Sequence, residues 1–258
     1  MPSYILKNFE RLFFDHTFRF KLRGWLFSRN PWNWVIGNLI KIRVKLLNCL
    51  PVPSHKVRHC SICGWSGREF YPLLSLTSCR ERAICPSCGS LERHRALISL
   101  LDTRRLIGEG RHCLEVGPSK FVRNYIVQHK ARYTSIDLGE LSSNLIMRVE
   151  NLAFKNASFD FIFCLHVLEY VFPWQKAIDE LYRVLRSGGT LFLSENLAFE
   201  KTATIKFDAR ELIHGTPIQK FGQDLPETLI KKGFEVESYD YLSYYDARGD
   251  WIFICEKK

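Results

Sequence analysis

The 258-residue sequence predicts an α/β protein: a doubly wound, mostly parallel sheet with an antiparallel C-terminal edge, preceded by a small zinc-knuckle module and a basic, aromatic N-terminal arm. Three observations predict it. From His112 onward, apolar stretches of strand length alternate with stretches of helical periodicity. Phe159–His166 is apolar almost throughout, as a parallel strand buried on both faces must be. Two Cys-x-x-Cys-Gly knuckles, Cys60-Ser-Ile-Cys63-Gly64 and Cys85-Pro-Ser-Cys88-Gly89, stand ahead of the first of these strands. The boundaries that follow are 1–55 for the arm, 56–96 for the cysteine module and 97–258 for the α/β body, a length that buries a full core.

The charge is unevenly placed. Residues 1–59 carry 11 Lys/Arg against Glu10 and Asp15, a net +9, whereas the whole chain carries +10. The body is therefore close to neutral, which excludes a long nucleic-acid track across it. The first 50 residues hold ten aromatics, from Tyr4 to Trp34. Ile5, Phe9 and Phe13 recur at helical spacing with Lys7, Arg11 and Arg19 on other faces. In Trp34–Leu50, Lys41, Arg43 and Lys45 alternate, so helix and strand stay undecided there, and Pro51-Val-Pro53 ends the arm. An arm of this kind resembles an interfacial membrane anchor. Packing on the body, an oligomer contact and RNA binding are the alternatives. Its longest uncharged stretch, Asn30–Ile40, is too short to span a bilayer, and no secretory signal pattern opens the chain. A cytoplasmic protein, peripheral to the membrane through residues 1–50, is the expectation.

Four of the nine cysteines pair as knuckles, which favours metal over disulfides and a reducing compartment. Each knuckle turns two thiolates toward one point, so Cys60, Cys63, Cys85 and Cys88 form a closed, structural Zn²⁺ site with no open position for water. Cys79 is a spare thiol nearby. Cys49, Cys113, Cys164 and Cys255 read as small buried or interface hydrophobes.

A helix over Leu91–Leu106 links the module to the body. The body then reads as strand His112–Val116, helix Phe121–Gln128, strand Tyr133–Asp137, strand Leu145–Val149, strand Phe159–His166 and helix Trp174–Leu185. Ser187-Gly188-Gly189 stops that helix, whose terminal Arg183 and Arg186 suit the dipole. Strand Thr190–Glu195, helix Pro226–Lys232 ending at Gly233, and strands Phe234–Tyr241 and Asp250–Glu256 follow. The last two are joined around Ala247-Arg248-Gly249 and pair antiparallel.

In such sheets ligands sit at the carboxyl ends of the strands, near the switch in strand order. Glu115-Val-Gly117-Pro118-Ser119 ends the first strand, and Asp137 ends the second about 20 residues later, where an acid holds ribose hydroxyls. The turn is not a true G-x-G-x-x-G, which argues against a nicotinamide dehydrogenase.

Two stretches carry a resemblance. Glu150-Asn-Leu-Ala-Phe-Lys-Asn-Ala-Ser-Phe-Asp160-Phe-Ile-Phe-Cys-Leu-His166-Val-Leu-Glu169-Tyr170 and Ala177-Ile-Asp-Glu-Leu-Tyr-Arg-Val-Leu-Arg-Ser-Gly-Gly-Thr190 resemble class I S-adenosylmethionine (SAM)-dependent methyltransferases, of the type 11-like, Rossmann-like kind, over roughly residues 110–256. The resemblance implies SAM as cofactor. Glu115, Gly117, Pro118 and Ser119 would line its methionine and ribose end. Asp137 would take the ribose hydroxyls, and Glu150, Asn151 and Leu152 would lie in the adenine loop. His166 would face the sulfonium or the acceptor, with Glu169 at the same mouth, and either would serve as base for an oxygen or amine acceptor. The sequence departs from the family at Arg148, where an acid is usual, at Ala153 and at Tyr170. Cys85-Pro-Ser-Cys-Gly-Ser-Leu-Glu-Arg-His-Arg95 resembles a bacterial methyltransferase subgroup with an N-terminal four-cysteine zinc module. That resemblance would place Glu92, Arg93, His94 and Arg95 beside the cleft, against the plainer reading of a solvated helix start. It would also place Lys220-Phe-Gly-Gln-Asp-Leu-Pro226 near the substrate mouth. The acceptor it implies is a small molecule, a glycan or a lipid-linked molecule. RNA, and a non-catalytic SAM-binding protein, are the alternatives.

Overall fold

The structure, a computed structural model, describes residues 31–50, 57–74, 79–139, 143–198, 200–207, 217–239 and 250–258. The aromatic repeat before residue 31, the Pro51–Pro53 stop and the Ala247–Gly249 connection lie outside these residues.

The chain divides into two units, Met1–Arg58 with Ser66–Pro86, and His59–Trp65 with Ser87–Lys258. In the first, α1 (Pro31–Cys49) settles the ambiguous segment as a helix. Ile40 and Val44, four residues apart, are buried, while Ile42, Leu46 and Leu50 stand exposed at the same spacing beside Lys41 and Lys45. Charges alternating at a period of two hid this helical apolar period. After the short strands β1 (Arg58–His59) and β2 (Ser66–Gly67), β3 (Tyr71–Leu74) and β4 (Cys79–Ile84) pair as an antiparallel hairpin. Near the C-terminus of α1, Asn48 Oδ1 accepts from the amides of Arg68 (2.7 Å) and Glu69 (2.9 Å), and its Nδ2 donates to Glu69 O (3.0 Å). One side chain thus satisfies three backbone groups, as a strand partner would. Cys49 is exposed, which leaves the interface half of its sequence reading, while Cys113, Cys164 and Cys255 are buried.

In the second unit, α2 (Glu92–Arg104) leads to β5 (His112–Val116), α3 (Lys120–Gln128), β6 (Arg132–Asp137), β7 (Leu145–Ile146) and β8 (Phe159–Leu165). A 3₁₀ turn (Leu168–Tyr170) precedes α4 (Trp174–Val184) and β9 (Leu185–Asn196). Then come β10 (Ile205–Lys206), β11 (Gln219–Lys220), α5 (Asp224–Lys232), β12 (Phe234–Tyr239) and β13 (Asp250–Lys257). Seven strands form one sheet in the order β12-β13-β9-β8-β5-β6-β7. Pairing is parallel from β9 to β7, while β13 runs antiparallel to both β9 and β12. The antiparallel C-terminal edge is thus present.

Alternation along the strands builds two cores. Leu114, Val116, Ile162, Cys164, Leu191 and Leu193 meet Trp174, Ile178 and Leu181 of α4 and Leu225 and Leu229 of α5. Cys113, Phe161, Phe163, Phe192, Ile252 and Ile254 meet α2 and α3 through Leu97, Leu101, Val122 and Ile126. Successive residues point to opposite faces and both faces are covered, so the strands read as continuous apolar runs.

Three local expectations are corrected. The third strand is only two residues long, with both exposed, because it ends the sheet and has little to bury. The α4 helix ends at Leu185 in extended conformation, before the Ser-Gly-Gly triplet. The triplet lies instead in a register shift of β9: Phe159 pairs with Leu185, but Phe161 pairs with Thr190. A Cβ on Gly189 would sit 2.9 Å from the carbonyl oxygens of Arg186 and Asp160, so only glycine lets the strand return there. Arg183, read as a dipole complement, grips a loop, as described below. The α5 helix ends as expected on Gly233 in the left-handed region.

Candidate functional site

The strand order reverses between β5 and β8, since β6 and β7 extend one way and β8 and β9 the other. The segments leaving the carboxyl ends of β5 and β8 meet at this switch. Gly117 adopts φ +67°, and a Cβ there would lie 2.7 Å from Val167 Cγ2, in the segment after β8. Glycine is required on both counts, and the near contact puts the first loop against the residue that follows His166.

Glu115 is buried and organises that loop. Its Oε1 accepts from the Ser119 amide (2.8 Å), and its Oε2 from the Tyr133 hydroxyl (2.7 Å). Burial pushes its carboxyl up to about 7, although the Tyr133 and Ser119 hydrogen bonds pull the other way. Ser119 caps α3, its Oγ accepting from Val122 N (3.3 Å), so the helix N-terminus opens toward the site. Pro118 lies between the two. Asp137 ends β6, where its Oδ1 accepts from the Gly139 amide (3.1 Å). Its carbonyl takes the Met147 amide. The Gly and Asp of the sequence reading therefore do stand at the ends of neighbouring strands.

The 148–156 segment is held from beneath. Glu150 pairs with Arg148 (2.9 Å), and Asn151 N bonds Arg148 O, closing a turn. The unusual arginine thus has its acid partner two residues away. Leu152 is buried, and its amide donates to Glu180 Oε2 (2.8 Å). Arg183 donates to Glu180, to the carbonyls of Leu152 and Phe154 and to Asn156 Oδ1, all at 2.7–2.8 Å. One guanidinium satisfies three loop acceptors and a carboxylate, which fixes the loop against α4.

His166 follows β8 with φ +55°, an uncommon conformation for a residue with a side chain. Its amide donates to Ser194 O (2.7 Å), which joins the ends of β8 and β9. Its Nδ1 lies 3.7 Å from Glu169 Oε1, both side chains being largely buried. The sequence reading missed Glu195. This fully buried carboxylate ends β9 and accepts from the amides of Val167 (3.1 Å) and Leu168 (2.8 Å) through Oε1. Ligand atoms of His166, Glu169 and Glu195 all lie within 4.8 Å of one another. An acid closing an apolar strand, Leu191-Phe-Leu-Ser-Glu195, was the available signal. Tyr133 and Arg183 were missed as well, having only ordinary strand and helix contexts.

A ribbon and the following segment border this mouth. β10 and β11 pair antiparallel, Ile218 N donates to Glu169 O (2.9 Å), and Gln219 Nε2 donates to the carbonyls of Leu168 (2.7 Å) and Val171 (2.9 Å). The Lys220–Pro226 stretch thus begins beside the mouth. Tyr170 is partly exposed here. Its hydroxyl is raised by burial and then by Glu169 and Glu195, while Arg93 pulls it back, so Arg93 is in electrostatic reach. Glu92, His94 and Arg95 are buried instead of solvated. The His94 ring packs 4.7 Å from that of Phe121 at the start of α3.

Cys60, Cys63, Cys85 and Cys88 gather with their sulfurs within 4.8 Å of one another. Cys60 and Cys88 Sγ are 3.7 Å apart, against about 3.8 Å for two sulfurs bound tetrahedrally to one zinc. The first knuckle closes through Gly64 N to Cys60 O (2.9 Å), and Cys60 N donates to Trp65 O (2.8 Å). Ser90 Oγ lies 3.4 Å from Cys60 Sγ and 3.1 Å from Cys88 Sγ. Buried Arg95 holds Ser90 through Nη1, at 2.5 Å from its carbonyl. Burial alone would raise the Cys60 thiol, but hydrogen bonds with Ser90 and the backbone of Cys63 and Ile62 bring it from 9.0 down to about 7. The four thiols fit a tetrahedral metal ion, and Cys79 is not among them.

Residues 114–193 match the family model of a methyltransferase domain. That span runs from β5 to β9 and contains Gly117, Asp137, His166 and Glu169. No curated protein matches the chain in sequence. Among solved structures, the [4+2]-cyclase SpnF has 16% identity and a TM-score of 0.50, covering 86% of this chain and 95% of its own. The Burkholderia thailandensis 1,6-didemethyltoxoflavin-N1-methyltransferase, solved with S-adenosylhomocysteine, has 14% identity and a TM-score of 0.48, covering 64% and 78%. A Haloferax volcanii methyltransferase complexed with the Trm112 activator has 14% identity and a TM-score of 0.48, covering 64% and 90%. The body has a methyltransferase-like fold.

Proposed function

We propose that the chain is a SAM-dependent methyltransferase with a structural zinc module. The single observation that carries the reading is the meeting, inside the matched domain, of the Gly117 turn, the α3 N-terminus and the His166–Glu169 mouth. SAM supplies an electrophilic methyl on a sulfonium. Gly117 lets the backbone take the left-handed turn against Val167 and approach the cofactor closely. Glu115 holds the Gly117–Ser119 turn in shape, with Pro118 within it, around the methionine and ribose end. Asp137 takes the ribose hydroxyls, and Glu150, Asn151 and Leu152 border the adenine on a loop clamped by Arg183. The burial around the mouth withholds water while acceptor and methyl are aligned, which supplies much of the rate. His166 and Glu169 are placed to take a proton from an oxygen or amine acceptor. The four thiolates bind Zn²⁺, whose role is to fold the module, since all four positions are filled by protein.

The acceptor we favour is a small molecule, glycan or lipid-linked molecule met at the cytoplasmic membrane face. Two features support this: the +9 charge and aromatic content of the arm, and the exposed Ile42, Leu46 and Leu50 beside Lys41 and Lys45. No described helix is long and apolar enough to cross a membrane. The test supplies methyl-labelled SAM to the zinc-loaded full chain with membrane-lipid, soluble and RNA fractions. Label in the lipid or soluble fraction is expected. Label in RNA, lost steeply with salt, would replace this acceptor by RNA. No label in any fraction, with SAM still bound, would make the chain a non-catalytic SAM-binding protein.

A further inference from the structure

His166, Glu169 and Glu195 come from three separate stretches, the end of β8, the 3₁₀ turn and the end of β9, yet their ligand atoms lie within 4.8 Å of one another. None of the three is a surface acid: the His166 and Glu169 side chains are 12% and 14% exposed, and Glu195 is fully buried. We propose that the three residues bind a divalent cation at the mouth of the site, and that this ion holds a hydroxyl oxygen of the acceptor. The proposal deepens the methyltransferase reading and rests on it for the second half only.

Donors on a cation with bonds of about 2.1 Å lie roughly 3 Å apart at right angles. The observed 3.7 Å between His166 Nδ1 and Glu169 Oε1 needs only a small side-chain rotation to reach that. The Glu195 carboxylate is already oriented by the Val167 and Leu168 amides, as outer partners orient a metal ligand. One imidazole with two carboxylates suits a first-row ion such as Mn²⁺ or Fe²⁺ better than the all-oxygen preference of Mg²⁺ or Ca²⁺. Three protein ligands leave positions open, in contrast to the closed four-thiolate cluster. With His166 and Glu169 as ligands in place of bases, the ion lowers the pKa of a bound hydroxyl, whose proton passes to water. The resulting oxygen forms the O–CH₃ bond as the S–CH₃ bond breaks, and that electron pair stays on sulfur. The acceptor class is thereby narrowed to hydroxyl-bearing molecules.

The test is Mn²⁺ titration of the zinc-loaded full chain, followed by the loss of the free Mn²⁺ paramagnetic resonance signal. Mn²⁺ competes poorly with zinc for thiolates. One saturable site is expected, weakened about fivefold or more in Glu169→Gln, which spares the backbone bonds made by Glu195. Absence of saturable binding up to about 1 mM Mn²⁺ overturns the proposal. So does a loss smaller than about fivefold in both Glu169→Gln and His166→Ala, with melting temperatures unchanged. SAM titration of the same samples separates the two claims. SAM binding without Mn²⁺ binding removes the cation site alone, whereas Mn²⁺ binding without SAM binding removes the cofactor reading alone.

Discussion

Glu115 gives the organisation of the cofactor turn a measurable signature in stability. Its carboxyl is raised from 4.5 to about 7, chiefly by burial. The folded protein therefore holds a proton on Glu115 at pH values where the unfolded chain has released it. Between these two values the folded state binds more protons, so this group's contribution falls as pH rises. It is most favourable below 4.5 and levels off above 7. At ~1.4 kcal/mol per pH unit the whole interval corresponds to about 3 kcal/mol, of which about 2.5 kcal/mol lies between pH 5 and pH 8. His112 acts oppositely. Burial and then the charges of Arg132 and Arg186 lower it, offset in part by hydrogen bonding and by Asp160, so its contribution rises with pH up to the ordinary histidine range. The difference between wild type and Glu115→Gln isolates Glu115. Glutamine keeps a carbonyl for the Ser119 amide and can donate to the Tyr133 hydroxyl, so the turn retains its bonds. Thermal unfolding of both proteins should show the variant gaining on the wild type from pH 5 to pH 8, by roughly 5–10 °C. A difference independent of pH within about 1 °C would refute the burial argument.

Three further outcomes follow from the same geometry. Gly117→Ala places a Cβ 2.7 Å from Val167 Cγ2 at φ +67°; it should cost about 1–2 kcal/mol of stability and at least tenfold in SAM affinity, read by melting and calorimetry. Asp137→Ala should abolish SAM binding; affinity kept within about threefold would exclude Asp137 from the ribose contact. Cys60→Ser and Cys88→Ser should lose zinc by elemental analysis and melt earlier, and unchanged zinc content with an unchanged melting temperature in both would remove the metal from the account.

The parallel core was legible because its strands are buried on both faces and so carry no polar alternation, as in Phe159–Leu165. Gly117 and Asp137 were legible from their spacing, and the knuckles from theirs. What escaped notice depends on contacts between distant residues. Nothing local to Glu195 says that its carboxylate takes the amides of Val167 and Leu168, or that Arg183 reaches Leu152, Phe154 and Asn156. Arg95 looked like a solvated cation, because its burial depends on Ser90 and the cysteine turns around it. The Ser187-Gly-Gly triplet followed a helix and looked like a cap. Only the pairing of β8 with β9 shows that the extra residues are taken up by the sheet.

The central claim is that the Gly117 turn, Asp137 and the 150–152 loop hold SAM. Calorimetric titration of the zinc-loaded full chain with SAM and with its demethylated product tests it most directly. Binding of both at about micromolar affinity is the predicted result. No heat of binding from either, up to about 1 mM ligand with the protein folded, would contradict the account.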